Sequence, residues 1–179
     1  MTEARAIRVL FDTASIAQRT AAVAQAVAED RPHDLLVVAI LKGSFMFAAD
    51  LLRAMHHVGL APQVEFIHLS SYGAAQQSSG TVKILRDIDS DVQGRDVLLV
   101  DDILESGRTL AFAKALLLSR GARRVMICVM LDKPGKRAVE IEADFRGFEC
   151  PDLFVVGYGM DAGHAHRELP YIGVVESSA

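Results

Sequence analysis

Cysteine is scarce in this chain. Cys128 sits in an apolar run and Cys150 beside a turn, and the two show neither metal-ligand nor redox spacing. No disulfide framework is implied, and two such thiols fit a reducing compartment. Long hydrophobic stretches are missing as well: no apolar run approaches the ~20 residues that a membrane-crossing helix needs. The first residues, Met-Thr-Glu-Ala-Arg, have no apolar signal core. The expectation is a soluble, cytoplasmic protein with no membrane partner. There is also no lysine- or arginine-rich run, and 19 basic residues against 23 acidic ones leave a net charge of −4. That balance argues against a broad nucleic-acid footprint. Internal repeats and low-complexity segments are absent.

What is present is 51% hydrophobic over 179 residues, enough for one well-packed α/β domain and short for two. The most informative stretch is residues 97–110, Val-Leu-Leu-Val-Asp-Asp-Ile-Leu-Glu-Ser-Gly-Arg-Thr-Leu. Four apolar residues read as a strand buried on both faces, and two adjacent carboxylates, Asp101 and Asp102, follow at once. Glu105, Ser106, Gly107 and Thr109 then open a helix. Small donors at a helix start build a phosphate cradle from backbone N–H groups and hydroxyls. Asp101 and Asp102 would repel a phosphate, so they suit sugar hydroxyls or a hard cation. The two halves together describe a sugar-phosphate site. In isolation, paired acids after a strand are more often a solvated strand end, and it is the phosphate-loop residues beside them that reverse this reading.

Around this stretch, strands and helices alternate. Residues 7–11 read as a strand, and Asp12 or Thr13 caps a helix whose inward positions are Ile16, Val23 and Val27 and which Pro32 ends. Residues 35–40 form a second buried strand. Leu41-Lys42-Gly43-Ser44 is then the turn into a helix with Phe45, Ala48, Leu52 and Met55 on one side. Residues 63–70 read as a third strand, and residues 71–80, rich in serine with Tyr72 and two glycines, read as a mobile lid. Residues 81–85 return as a strand. Beyond the central stretch, Leu110, Ala113 and Leu117 face inward on a helix capped by Gly121, and residues 123–131 form the next buried strand. A mixed segment separates it from a last short strand at 153–156. This alternation predicts an α/β fold, a mostly parallel twisted sheet flanked by helices, with ligands beyond the strand carboxyl ends. Lys42, Asp101, Asp102, Glu105 and Lys133 all fall there.

These residues carry a resemblance. Residues 97–110 are similar to the 5-phosphoribosyl 1-diphosphate signature of the type I phosphoribosyltransferases: two apolar residues, two acids, two apolar residues, an acid, Ser or Thr, then Gly-x-Thr. Narrower matches are Ala-Ile-Leu-Lys-Gly-Ser-Phe-Met-Phe-Ala-Ala-Asp-Leu at 39–51, Ser-Ser-Tyr-Gly at 70–73, Leu-Asp-Lys-Pro at 131–134, Pro-Asp-Leu-Phe-Val-Val-Gly-Tyr-Gly-Met-Asp at 151–161 and Arg-Glu-Leu-Pro-Tyr-Ile-Gly at 167–173. In this order, over nearly the whole chain, they resemble the bacterial hypoxanthine-guanine phosphoribosyltransferases.

The resemblance implies a type I phosphoribosyltransferase fold in one domain spanning 1–179, with a core of about 30–156 and a small hood from about 1–12 and 157–179. It implies transfer of a 5-phosphoribosyl group to hypoxanthine or guanine, with magnesium as cofactor and self-association as a homodimer or homotetramer. Asp101 and Asp102 would hold the ribose hydroxyls and metal, and Glu105, Ser106, Gly107, Arg108 and Thr109 the 5′-phosphate. Lys42, Gly43 and Arg167 would meet pyrophosphate, with Asp161 on a second metal. Lys133 would donate to the purine's exocyclic oxygen, Phe154 would stack on the base and the Val155 backbone would read its edge. Ser71 and Tyr72 would close over the site. Glu105 would manage the proton at the purine ring nitrogen, where the family usually has aspartate. Residues 162–166, Ala-Gly-His-Ala-His, also depart from the family pattern, as does Asp101 where many members have glutamate. His164 and His166 read as exposed loop histidines. The alternative implied by the fold is a regulatory protein of the RNA-attenuator type that binds the sugar phosphate with little or no catalysis.

Overall fold

Strands that are apolar at every position, not at alternate ones, must be covered on both faces. The computed structural model describes residues 6–71 and 82–176. In chain order its elements are β1 (Ile7–Phe11), α1 (Thr13–Glu29), β2 (Leu36–Leu41), α2 (Phe45–His57), β3 (Gln63–Ser71), β4 (Val82–Arg86), β5 (Asp96–Leu104), α3 (Arg108–Ser119), β6 (Arg124–Asp132), β7 (Phe145–Glu149), β8 (Val155–Val156) and β9 (Ile172–Val175). The runs Leu-Val-Val-Ala-Ile-Leu of β2 and Val-Leu-Leu-Val of β5 lie at the centre of a six-stranded sheet of order β4-β3-β2-β5-β6-β7. Every pairing is parallel except β3 with β4.

Alternate side chains of these strands enter two cores. Val37, Ala39, Leu98, Val100 and Cys128 pack with α1 and α2, while Leu36, Val38, Val97, Leu99 and Ile127 pack with α3. The chain runs from β2 outward to β3 and then, beyond β4, re-enters on the other side of β2 as β5. Strand order therefore reverses between β2 and β5. That is the switch point at which such sheets open a crevice beyond their carboxyl ends.

Helix α1 starts where the sequence places it, with Asp12 Oδ1 accepting the Ser15 N–H at 2.7 Å. Helix α3 ends at Ser119, followed by Gly121 at φ 89°. In α2 the buried face is Phe47, Ala48, Leu51 and Met55; Phe45 is exposed and Leu52 only half-buried, a correction to the expected stripe. Almost every position of this helix up to Met55 is apolar, so two overlapping stripes satisfy the helical period and packing chooses between them. The mixed segment before residue 150 contains β7, which the sequence reading misses. It is an edge strand, paired only with β6, so it shows no buried run.

A second, antiparallel sheet of order β1-β9-β8 joins the two ends of the described chain, with Ile7 opposite Val175 and Val156 opposite Gly173. β8 at 155–156 thus belongs to this hood sheet. Tyr72 and residues 73–81 lie outside the described residues, as does the side chain of Ser71, so the expected lid is not described. No helix of the described residues is long and apolar enough to cross a membrane.

At its amino-terminal end, the central strand β5 begins with a fully buried carboxylate. Asp96 accepts from Arg123 at 2.7 and 2.5 Å and from the His33 N–H at 2.7 Å, and Arg124 lies 3.1 Å away. Burial alone would raise its pKa, but these donors prevail and hold it below the ordinary 3.8. Its stabilising contribution is therefore complete above the unfolded value and is lost as pH falls through the lower folded one. Asp96→Asn is expected to cost about 2 kcal/mol at neutral pH, read as a drop in urea midpoint, with the gap to wild type closing in acid.

Candidate active site

The carboxyl ends of β2, β5 and β6 bring the sequence-named residues to one edge of the sheet. Asp101 and Asp102 are the sixth and seventh residues of β5, Lys42 and Gly43 follow β2 directly, and Lys133 follows β6. Asp101 is buried, and its carboxylate accepts the Asp102 N–H at 2.9 Å; that of Asp102 accepts the Ile103 N–H at 2.9 Å. Burial pushes the pKa of Asp101 well up, and the charge of Asp102 beside it adds to the rise. Asp102 is raised too, by burial, though its hydrogen bonds and the nearby Arg167 oppose this. Two desolvated carboxylates side by side gain most from a cation.

The turn after β2 presses on this pair. The Leu41–Lys42 peptide is cis. A β-carbon on Gly43 would overlap the Asp102 carboxylate, and one on Gly159 would overlap the Gly43 carbonyl, so the three residues stack with only glycine-sized clearance. From the far side Arg167 donates to the Gly159 carbonyl at 2.6 Å and pairs with Asp161 at 2.6 Å. Asp161 also accepts the His164 N–H at 2.7 Å. Residues 162–166 form a tight turn closed by N–H to carbonyl bonds of 3.1 and 3.2 Å between Ala162 and Ala165, which leaves His164 88% exposed, whereas His166 is half-buried and not exposed as expected. Lys42 is exposed at the mouth of the crevice.

Beyond the acids, Glu105, Ser106, Gly107 and Thr109 close a cavity of about 80 Å³ against Asp101 and Ile103. Gly107 turns the chain at φ 80° into α3, and a β-carbon there would overlap Ile141. Ser106 Oγ lies 3.4 Å from the Arg108 nitrogen, Thr109 is half-buried, and Arg108 points its exposed side chain outward from the first turn of α3. Ala138 donates to the Ser106 carbonyl at 2.9 Å. Residues 137–141 therefore form the floor of the loop. The sequence reading misses them because Ala138, Val139 and Ile141 act through backbone and small apolar contacts that carry no periodicity, and Arg137 acts mostly on carbonyl oxygens.

Lys133 is 6% exposed, with its ammonium 2.8 Å from the Leu153 carbonyl and 3.4 Å from Glu105 Oε1. Lys136 lies 3.9 Å from the same Glu105 oxygen and is itself held by Asp152 at 2.7 Å. The next residues split by side: Phe154 is 62% exposed and Val155 is buried. An aromatic ring left in solvent beside a buried lysine has a free face for a flat ligand. Tyr158, also unremarked in the sequence, anchors the hood loop by donating its hydroxyl to Asp50 of α2 at 2.8 Å.

An acid pair next to a phosphate-sized cradle, at the switch point of a parallel sheet, defines an α/β protein built for sugar phosphates. The chain belongs to the phosphoribosyl transferase domain family, whose model matches residues 9–162. Among curated proteins it is 42% identical over 172 residues to the hypoxanthine phosphoribosyltransferase of Escherichia coli (strain K12), covering 94% of this chain and 95% of the relative. It is 48% identical over 142 residues to the hypoxanthine-guanine phosphoribosyltransferase of Aquifex aeolicus, covering 79% and 78%. A solved hypoxanthine-guanine phosphoribosyltransferase from Bacillus anthracis superposes with a TM-score of 0.88 at 38% identity, covering 96% of this chain and all of that one.

Proposed function

We propose that the chain transfers the 5-phosphoribosyl group of 5-phosphoribosyl 1-diphosphate to hypoxanthine or guanine, forming the nucleoside monophosphate and releasing pyrophosphate, as a purine salvage enzyme. The observation that carries this is the direct link between the sugar-phosphate half and the base half, Lys133 to Glu105 at 3.4 Å. The curated relatives bear the same activity in their names, and they do not favour the regulatory, RNA-attenuator alternative.

In this reading the bond from the anomeric carbon to pyrophosphate breaks as a bond to the purine nitrogen forms, through a transition state with oxocarbenium-like charge. Asp101 and Asp102 hold the ribose hydroxyls and set negative charge beside that carbon. Their donor set fits magnesium, which is commonly bound by one or two carboxylates together with substrate oxygens and would supply charge neutralisation for pyrophosphate. Among the described residues no three His, Cys, Asp or Glu side chains converge, so these residues would hold the ion through one or two carboxylates at most, with substrate oxygens or water beside them. Asp161 would serve a second ion. The loop of Glu105, Ser106, Gly107, Arg108 and Thr109 grips the 5′-phosphate. Lys42, Gly43 and Arg167 receive the departing pyrophosphate. Lys133 donates to the exocyclic oxygen, so a 6-amino purine, itself a donor there, is rejected. Glu105 takes the proton released from the purine ring nitrogen. Phe154 covers the base, the Val155 backbone reads its edge, and Ser71 and Tyr72 close the crevice against water. The protein works in the cytoplasm as a homodimer or homotetramer.

The test is pyrophosphate release by purified protein with magnesium, the ribosyl donor and each of hypoxanthine, guanine and xanthine. No release with any of them would overturn the proposal. Phe154→Ala removes the free ring face; it is expected to raise the KM for the purine about tenfold, a stacking loss of 1–3 kcal/mol, while the KM for the donor stays at the wild-type value.

A further inference from the structure

The cradle of residues 105–109 is made of peptide planes, and something must fix which way each plane faces. Arg137 lies directly behind it, with its side chain only 19% exposed. Its Nη1 donates to the carbonyls of Leu104 at 2.8 Å, Glu105 at 2.8 Å and Lys133 at 3.0 Å. Nε donates to the Ile141 carbonyl at 3.1 Å, and Nη2 pairs with the buried Asp132, whose other oxygen meets Arg146 at 3.2 Å. The next carbonyl along, Ser106, is taken by the Ala138 N–H at 2.9 Å.

Three consecutive carbonyls, Leu104, Glu105 and Ser106, are thus drawn to the outer side of the loop. In a trans peptide the N–H points opposite to the C=O, and the only cis peptide among the described residues is Leu41–Lys42. The N–H groups of Glu105, Ser106 and Gly107 must therefore turn to the inner side, where the cavity is, forming a nest for an anion. A guanidinium on the carbonyl end of these peptides also polarises them, which strengthens the N–H groups as donors.

We propose that Arg137 is a positioning residue that sets the 5′-phosphate cradle from behind and, through the Lys133 carbonyl, ties it to the purine turn. The proposal rests on the reading of residues 105–109 as the phosphate loop. Lysine cannot replace it, because a single ammonium lacks the planar fork that reaches four carbonyls and a carboxylate at once.

The test is steady-state kinetics with melting temperatures for wild type, Arg137→Lys, Arg137→Ala and Arg146→Ala. Arg137→Lys is expected to raise the KM for the ribosyl donor about tenfold with a smaller change in kcat. Arg146→Ala, which touches Asp132 but not the loop, is expected to keep the wild-type donor KM. Millimolar guanidinium is expected to lower the raised donor KM of Arg137→Ala, a rescue that a general stabilising role does not produce. An unchanged donor KM in both Arg137 variants would overturn the proposal, and so would loss of the native circular dichroism in both, since the arginine would then serve the fold and not the cradle. Wild-type protein that released no pyrophosphate would instead refute phosphoribosyl transfer itself.

Discussion

Replacing Glu105 by glutamine is expected to lower kcat on the order of 10²-fold or more, while aspartate keeps it within about tenfold of wild type. The purine must lose a ring proton as its nitrogen bonds to the anomeric carbon, and Glu105 is the carboxylate on the seam between the loop proposed to grip the 5′-phosphate and Lys133, the lysine proposed to meet the base. Glutamine matches it in length but accepts no proton. The family usually places aspartate here, and an added methylene brings an extra rotatable bond that would ordinarily loosen a catalytic group. In this chain the longer arm is met by two ammonium groups, Lys133 at 3.4 Å and Lys136 at 3.9 Å, the second braced by Asp152 at 2.7 Å. These contacts restrict the carboxylate without burying it, since its side chain stays 44% exposed and open to the proton's exit. Aspartate retains the charge but draws it back from both lysines, hence the smaller loss. Equal kcat for the glutamate and glutamine forms would reduce residue 105 to a spacer in the phosphate loop.

How far such a site can be read from sequence depends on whether its chemistry lies in side chains or in backbone. Asp101 and Asp102 stand out because charge seldom follows a doubly buried strand so closely; the structure corrects the strand's limit, since β5 runs on through both acids to Leu104 and holds them inside its carboxyl-terminal part. The parallel sheet is equally readable, since β2 is apolar throughout and the middles of β5 and β6 are unbroken apolar runs. Phe154 is not. Within Leu-Phe-Val-Val it looks like core on hydrophobicity alone, and only the fold shows that Val155 takes the inward place and leaves the ring in solvent. Arg137 is invisible for a different reason. Four of its five hydrogen-bonded partners are carbonyl oxygens, which every residue possesses, so no pattern of residue types marks them. The same holds for β7, whose single neighbour imposes no buried run.

Gly43→Ala is expected to cost on the order of 10² in kcat/KM with only a modest fall in melting temperature. The turn after β2 runs against Asp102 so closely that a β-carbon would overlap its carboxylate, and the Gly43 carbonyl is in turn covered by Gly159. The added methyl group therefore cannot be absorbed by retreat of the turn, because Gly159 and the Arg167 bond to its carbonyl at 2.6 Å stand behind it. Asp102 must swing away, or the turn, Gly159 and Arg167 must all shift. Either movement separates the carboxylates proposed to hold ribose and metal from the residues proposed to receive pyrophosphate, and positional errors near 1 Å at a reacting centre carry this order of loss. Overpacking of this kind costs about 1–3 kcal/mol, which a folded domain survives. Gly135→Ala supplies the control, since a β-carbon there meets nothing within 4 Å. It is expected to match wild type in both rate and melting temperature. If Gly43→Ala kept kcat/KM within about threefold of the Gly135→Ala value, the clearance between the turn and Asp102 would have no part in the chemistry.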